Sequence, residues 1–229
     1  VDELRAAGVR IFGPGASVAQ DLEPEIIAVD ARSRRAYVAL QENNAIATLN
    51  IRSAKFARIR PLGTKDHALA ANRLDPSNRD DGINIASWPV KGLYQPDSIA
   101  AYTRHGRTYL VSANEGDARD YDGFSEELRV NDFEDEGTPL DPDVFDPSIA
   151  DDENLGRLKT TSTLGDSDND GLIDEIYAYG ARSFSIWDAR TGAQVFDSGS
   201  DFEDITANLL PAQFNATNDD NDSFDGRSD

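Results

Sequence analysis

A motif recurs in this chain at a fixed offset. Pro24-Glu25-Ile26-Ile27-Ala28-Val29 returns as Pro96-Asp97-Ser98-Ile99-Ala100-Ala101. Thirteen residues after each Pro stands a Tyr, Tyr37 or Tyr109, inside an apolar strand pattern. Each of those strands runs into a polar turn, Gln41-Glu42-Asn43 or Asn114-Glu115-Gly116. Pro to Pro and Tyr to Tyr both span 72 residues, so one supersecondary unit is used twice. In the first copy, four short strands follow one another: Glu25 to Asp30, Arg35 to Leu40, Ala45 to Ile51 and Lys55 to Leu62. Turn signals fall at Asp30–Arg34, Gln41–Asn44 and Arg52–Ala54. Four short antiparallel strands in a row describe one blade of a β-propeller.

A 72-residue offset is longer than a propeller repeat of about 40 to 50 residues, so an insertion lies between the copies. The polar, weakly periodic stretch 63–95 fits, giving a blade at 24–62 and a second at 96–200. The second copy carries its own insertion at 117–157, acidic and broken by Pro139, Pro142 and Pro147, which reads as an irregular surface excursion. Strand pattern resumes at Leu158–Ser162, Ile176–Tyr179, Ser183–Asp188 and Ala193–Asp197. Helical signals are few: a short helix within Val1–Ile11 ending at Gly8, and Phe202–Leu210, stopped by Pro211. An acidic tail occupies 211–229. The fold expected is all-β, a single propeller domain over 1–229 with long acidic loops. Two blades cannot close a ring, so the chain reads as part of a larger one; a β-sandwich is the alternative, and the internal echo favours the ring.

The loop Asp166-Ser167-Asp168-Asn169-Asp170-Gly171-Leu172-Ile173-Asp174 places acidic side chains at positions 1, 3, 5 and 9 and Gly at position 6. Calcium takes six to eight oxygens, and alternating carboxylates on a curled loop converge on one ion. Position 12 is Tyr177 where an EF-hand has Glu, with Glu175 as a substitute, and the following residues read as a strand rather than a helix. Calcium is therefore the expected cofactor, with Asp166, Asp168, Asp170, Asp174 and Glu175 as ligands and Glu42, from the first echoed turn, as a further one. The alternative is a solvated acidic turn.

Net charge is −21, with 22 basic against 43 acidic side chains. That excludes nucleic acid and anionic membrane surfaces as partners and favours metal cations. The absence of Cys excludes disulfides, thiolate metal sites and Cys nucleophiles. No apolar run is long enough to cross a membrane. Met is absent even at position 1, so the chain reads as a processed or interior piece whose export signal would lie upstream of Val1.

Asn114–Asp120 gathers three carboxylates and Arg119, a set that suits metal-assisted phosphoryl chemistry, with a salt-bridged turn network as the slightly favoured alternative. His67, in Lys65-Asp66-His67, is a candidate base or ligand; His105 reads as an exposed hairpin residue and Trp187 as core. The candidate catalytic set is thus Lys65, His67, Glu115, Asp117 and Arg119. Two His and no Cys cannot, from this chain alone, build the usual His-rich multi-zinc site.

Several longer runs resemble the choice-of-anchor I family: Gly8-Val9-Arg10-Ile11-Phe12-Gly13-Pro14-Gly15, Gln20-Asp21-Leu22-Glu23-Pro24-Glu25, Leu40-Gln41-Glu42-Asn43-Asn44-Ala45, Trp88-Pro89-Val90-Lys91-Gly92-Leu93-Tyr94-Gln95-Pro96-Asp97, Ala113-Asn114-Glu115-Gly116-Asp117-Ala118-Arg119-Asp120-Tyr121, Arg182-Ser183-Phe184-Ser185-Ile186-Trp187-Asp188 and Phe224-Asp225-Gly226-Arg227-Ser228-Asp229. The resemblance covers essentially the whole chain. It implies an extracytoplasmic β-propeller, usually considered seven-bladed, of which this chain is similar to the middle, with the rest of the ring upstream and downstream as its partner. The family includes cell-surface glycoproteins of biomineralising animals and secreted bacterial proteins, some labelled alkaline phosphatase. Two functions follow as expectations: a calcium-binding surface module, or a calcium-dependent hydrolase acting on phosphate esters.

Overall fold

The computed structural model describes residues 1–214. Residues 24–61 form one antiparallel meander: β1 (Pro24–Val29), β2 (Arg35–Leu40), β3 (Ala45–Asn50) and β4 (Lys55–Pro61), paired in chain order. Each strand lies within one residue of its expected bounds, because tight turns bring sequence neighbours into register. β2 alternates Tyr37 and Ala39 with Val38 and Leu40. The first pair joins a core shared with the second meander; the second pair packs with Val9, Ile11, Ala45 and Ala47 under the N-terminal segment. Both faces being covered, five of the six residues of β2 are buried.

The connection after β4 supplies β5 (Thr64–Asp66) and β6 (Val90–Leu93). The second copy begins with β7 (Ser98–Arg104) and β8 (Arg107–Asn114), joined through His105 in an exposed two-residue turn with φ of 50°. A long excursion then carries β9 (Asp120–Tyr121), β10 (Phe124–Ser125), β11 (Glu127–Arg129), β12 (Lys159–Thr161) and β13 (Ile176–Ala178). The chain returns through β14 (Ser183–Asp188), which pairs antiparallel with β8, and β15 (Gln194–Asp197). The second four-stranded antiparallel sheet therefore runs β7-β8-β14-β15.

The two meanders share a core of Ala28, Tyr37, Ala39 and Ile46 with Ile99, Leu110 and Trp187. Trp187 meets Tyr94 edge-on at 5.2 Å and donates its ring N–H to Ser112 Oγ at 2.9 Å. A buried indole needs such a partner. Helices are short: α1 (Asp2–Ala6), α2 (Val18–Asp21) and α3 (Asp201–Leu209).

One expectation is corrected. The stretch 117–157, though largely at the surface, is more than an irregular excursion: its β11 joins β12 and β13, which follow it, and the connection before β7 in a five-stranded sheet, β11-β12-β13-β6-β5, whose β13 and β6 run parallel. This sheet has its own core of Val90, Val130, Phe133, Phe145, Leu155, Leu158 and Ile173. Two legs of the excursion cross at Gly116 and Gly180, so closely that a Cβ on Gly180 would sit 1.7 Å from the Glu115 carbonyl oxygen. The fold is thus mostly sheet with few helices. No closed barrel or ring of sheets forms among the described residues. The tail beyond 214 lies outside them.

Candidate functional site

The acidic loop is fixed at its C-terminal end by Ile173, buried in the excursion core and hydrogen-bonded through its N–H to Pro139 O at 2.9 Å. The amides of Asp174 and Glu175 both donate to Gly165 O, closing the loop into a ring. Inside it, Asp166 accepts from the amides of Asp170 and Gly171 at 3.1 and 3.0 Å. Asn169 and Gly171 adopt φ of 62° and 93°, the left-handed region that Gly tolerates freely. One carboxylate oxygen from each of Asp166, Asp168 and Asp174 lies within 4.8 Å of the other two, a span one cation can bridge. Desolvation, and then the carboxylates of Asp170, Asp174 and Asp166, raise the Asp168 pKa. The Ser167 hydroxyl, at 2.6 Å, lowers that of Asp174.

Two expected ligands of this loop sit apart from the cluster. Asp170 accepts from the Leu172 amide at 2.8 Å. Glu175 is engaged by Lys91 Nζ and by the Tyr177 hydroxyl, and the Lys91 bond holds its carboxyl below the usual range. Lys91 comes from β6, the strand parallel to β13. A cleft of about 280 Å³ opens beside Asp174 and Glu175, lined also by Asp66, Lys91, Asp146 and Ile149.

The five candidate catalytic residues fall into two neighbourhoods. Lys65 is buried, donating to Ala181 O at 2.9 Å and Gly199 O at 2.5 Å and pairing with Asp197 at 3.2 Å. Burial lowers its pKa. His67 is also buried, its Nδ1 2.6 Å from Asn72 O, and burial pulls its pKa down to about 4. Neither shares a hydrogen bond or ion pair with Arg119 or Asp117. Arg119 is buried over the Phe12 ring, donating to Asp21 Oδ1 at 3.0 Å and Asp21 O at 2.8 Å and pairing with Glu23 at 3.1 Å. Its fork is occupied by the protein's own carboxylates.

The echoed turns do meet, through Gln95. Its amide donates to Asn44 Oδ1 at 2.9 Å, its side chain donates to Asp117 O at 2.6 Å, and it accepts from the Gly180 amide. Glu25, on β1, faces Asp97, Asp117, Glu23 and Glu115, which add to desolvation in raising its pKa. Glu42 belongs to this corner and not to the Asp166 loop. Burial above all, with Glu23 and Glu25 adding to it, pushes its carboxyl up to about 7.

Sequence reasoning missed the buried network below Lys65. Asn114 donates to Ser183 Oγ and Ser185 Oγ, both of which donate to Asp197 Oδ2. The signal was present: Ser112 with Asn114, and Ser183 with Ser185, put polar groups at period two inside apolar strands.

An acidic, mostly β protein with long inserted loops and, among the described residues, a compact three-carboxylate cluster is the class these features define. Its sequence matches the choice-of-anchor I domain over residues 1–229, and the chain belongs to that family. Gigasin-3a from Magallana gigas is 39% identical over 70 residues, which are 31% of this chain and 24% of that protein. No solved structure matches the chain. Family membership points to a cell-surface or extracytoplasmic protein. Among the described residues no helix is long and apolar enough to cross a membrane.

Proposed function

We propose that the chain is a calcium-binding module of an extracytoplasmic surface protein, with calcium held by the Asp166–Asp174 loop. The observation that carries this reading is the approach of Asp166, Asp168 and Asp174 oxygens to within 4.8 Å on a loop pinned by Ile173. Three like charges at that separation repel unless a cation lies between them. The four-stranded meanders β1–β4 and β7-β8-β14-β15 serve as two blades of a larger ring. Their shared core and the 72-residue offset support that reading.

A module is favoured over a phosphate-ester hydrolase. Lys65, His67 and Arg119 are each buried and engaged by carbonyls or carboxylates, leaving none free to hold a phosphate. Calcium titration calorimetry, with p-nitrophenyl phosphate turnover measured with and without chelator, tests both. Binding lost in Asp168→Ala, without turnover in either protein, is the expected result. Chelator-sensitive turnover would put the hydrolase first, and unchanged binding in Asp168→Ala would refute the loop site.

A further inference from the structure

We propose that the end of the molecule where the β1–β2, β3–β4, β7–β8 and β14–β15 turns gather binds sulfate esters of an acidic polysaccharide. The inference goes beyond the calcium reading and does not rest on it. Segments 30–35, 51–60, 103–108 and 188–192 hold ten of the chain's 22 basic side chains and two of its 43 acidic ones. In a chain of net charge −21, this end therefore carries charge of the opposite sign.

The fold brings these segments together. The Ile51 amide donates to Arg34 O at 3.0 Å, joining the first two turns. Arg58 and Arg60 both donate to Arg190 O, at 3.1 and 2.5 Å, joining β4 to the β14–β15 turn. The β1–β2 and β7–β8 turns together wall a cavity of about 250 Å³, lined by Asp30, Arg32, Arg34, Arg35, Thr103 and Thr108 among others. Arg35 follows the face of β2 that holds Tyr37 and Ala39, while Thr103 and Thr108 follow the faces of Ala101 and Leu110. The cavity is thus the open end of the core shared by the two meanders, where apolar side chains give way to polar ones.

The protein does not neutralise the positive charge gathered there. Among the described residues, none of Arg32, Arg34, Arg35, Arg104 and Arg107 pairs with a carboxylate. The two acidic side chains are spent on shaping the turns. Asp30 Oδ1 accepts the amides of Arg32 and Arg34 at 3.2 and 2.7 Å. Asp188 Oδ1 accepts those of Arg190 and Thr191 at 2.9 and 2.8 Å. Arg104 and Arg107 stand directly opposite each other across the β7–β8 pair, an arrangement that costs stability between like charges. An anion held between such groups turns that repulsion into attraction.

Residue type and cavity size select the ligand class. Nine of the ten basic residues are Arg, whose planar fork grips tetrahedral oxyanions through paired N–H bonds. The Thr103 and Thr108 hydroxyls add neutral donors. A cavity of about 250 Å³ is smaller than the roughly 300–1,000 Å³ that encloses a whole ligand. It therefore takes one group of a longer polymer, whose further groups reach Arg104 and Arg107. The extracytoplasmic setting to which family membership points makes that polymer a sulfated polysaccharide rather than a nucleic acid. Net charge does not forbid it. At physiological ionic strength charges are screened beyond about 8 Å, so a short polyanion on this end feels its arginines and not the acidic loops.

The test is calorimetry of the full chain with a short heparin fragment in chelator, so that calcium on the Asp166 loop cannot bridge the two. Wild type should bind, less tightly as NaCl rises from about 0.05 to about 0.3 M. Arg32→Gln, Arg34→Gln, Arg104→Gln and Arg107→Gln are substitutions of exposed turn residues, so together they should leave the Tm unchanged. The combined variant should bind about thirtyfold more weakly, roughly two- to threefold for each exposed charge pair lost. Arg79→Gln with Lys159→Gln, outside this end, should leave the affinity unchanged. Unsulfated hyaluronate of equal length should bind more weakly than heparin. A wild-type chain that binds no heparin overturns the proposal, and so does a loss in the control variant equal to that in the arginine variant. Hyaluronate or an oligonucleotide of equal charge binding as tightly as heparin overturns the assignment to sulfate esters.

Discussion

Lys65→Met separates a structural lysine from a catalytic one. Lys65 Nζ donates to two carbonyls and pairs with Asp197, with its side chain 2% exposed and that of Asp197 15% exposed. Met fills the volume of the stem but leaves Ala181 O and Gly199 O unpaired and removes the countercharge of Asp197. Breaking a buried pair costs about 3–5 kcal/mol. Asp197 keeps the Ser183 and Ser185 hydroxyls and the Gly199 amide as donors, so the lower end, about 3 kcal/mol, applies. For a domain of this size that lowers Tm by roughly 6–12 °C. Thermal unfolding followed by circular dichroism reads it directly. Lys65→Met with Asp197→Asn should regain part of the loss, since the stranded charge is gone. A Tm drop below about 2 °C, with phosphate-ester turnover abolished, would refute the structural assignment and restore Lys65 to a reacting site.

Acid should reveal His67. Its pKa falls to about 4 in the fold from an ordinary 6.5, so the neutral ring is preferred natively. Its contribution is fully present above pH 6.5 and is lost as pH falls from 6.5 toward 4, by on the order of 3 kcal/mol in all. The gap in urea midpoint between wild type and His67→Gln should therefore narrow between pH 7 and pH 4.5, as chemical denaturation at the two pH values will show; a constant gap refutes it. Gly180→Ala should prevent folding or cost more than about 4 kcal/mol, because the new Cβ meets the Glu115 carbonyl oxygen at 1.7 Å and φ is +70°. Gly123→Ala, with φ of +91° but nothing within 4 Å, should cost only about 1 kcal/mol, and soluble yield with thermal melts compares the two.

The parts of this fold that sequence made legible are those held by local pairing. β1 to β4 could be bounded to within a residue because each turn is short and each strand alternates. The Tyr echo also has a structural meaning: Tyr37 pairs with Ala28 of β1, and Tyr109 with Tyr102 of β7, in equivalent strands of the two meanders. The third sheet was legible only in part: β12 and β13 fall inside the expected strands Leu158–Ser162 and Ile176–Tyr179, whereas β5, β6 and β11, three or four residues long, are too short to show a period. Its parallel pair also joins residues such as Lys91 and Tyr177 across most of the second copy. Phe133, Phe145, Leu155 and Leu158 follow no helical or strand spacing, so their joint burial could not be read from a pattern.

The same distinction between local and distant partners decides which polar residues carry chemistry. The Asp166 loop was legible because its carboxylates lie within nine residues, and Asp166, Asp168 and Asp174 do converge. Glu175 was expected to join them, but Lys91, 84 residues earlier in sequence, takes its carboxylate instead. Arg119 was a candidate phosphate clamp until Asp21, 98 residues away, occupied its fork. Residue type and spacing thus identify groups able to bind a ligand, whereas only the fold shows which of them the protein has already satisfied. By that criterion Lys65, His67 and Arg119 belong to the framework.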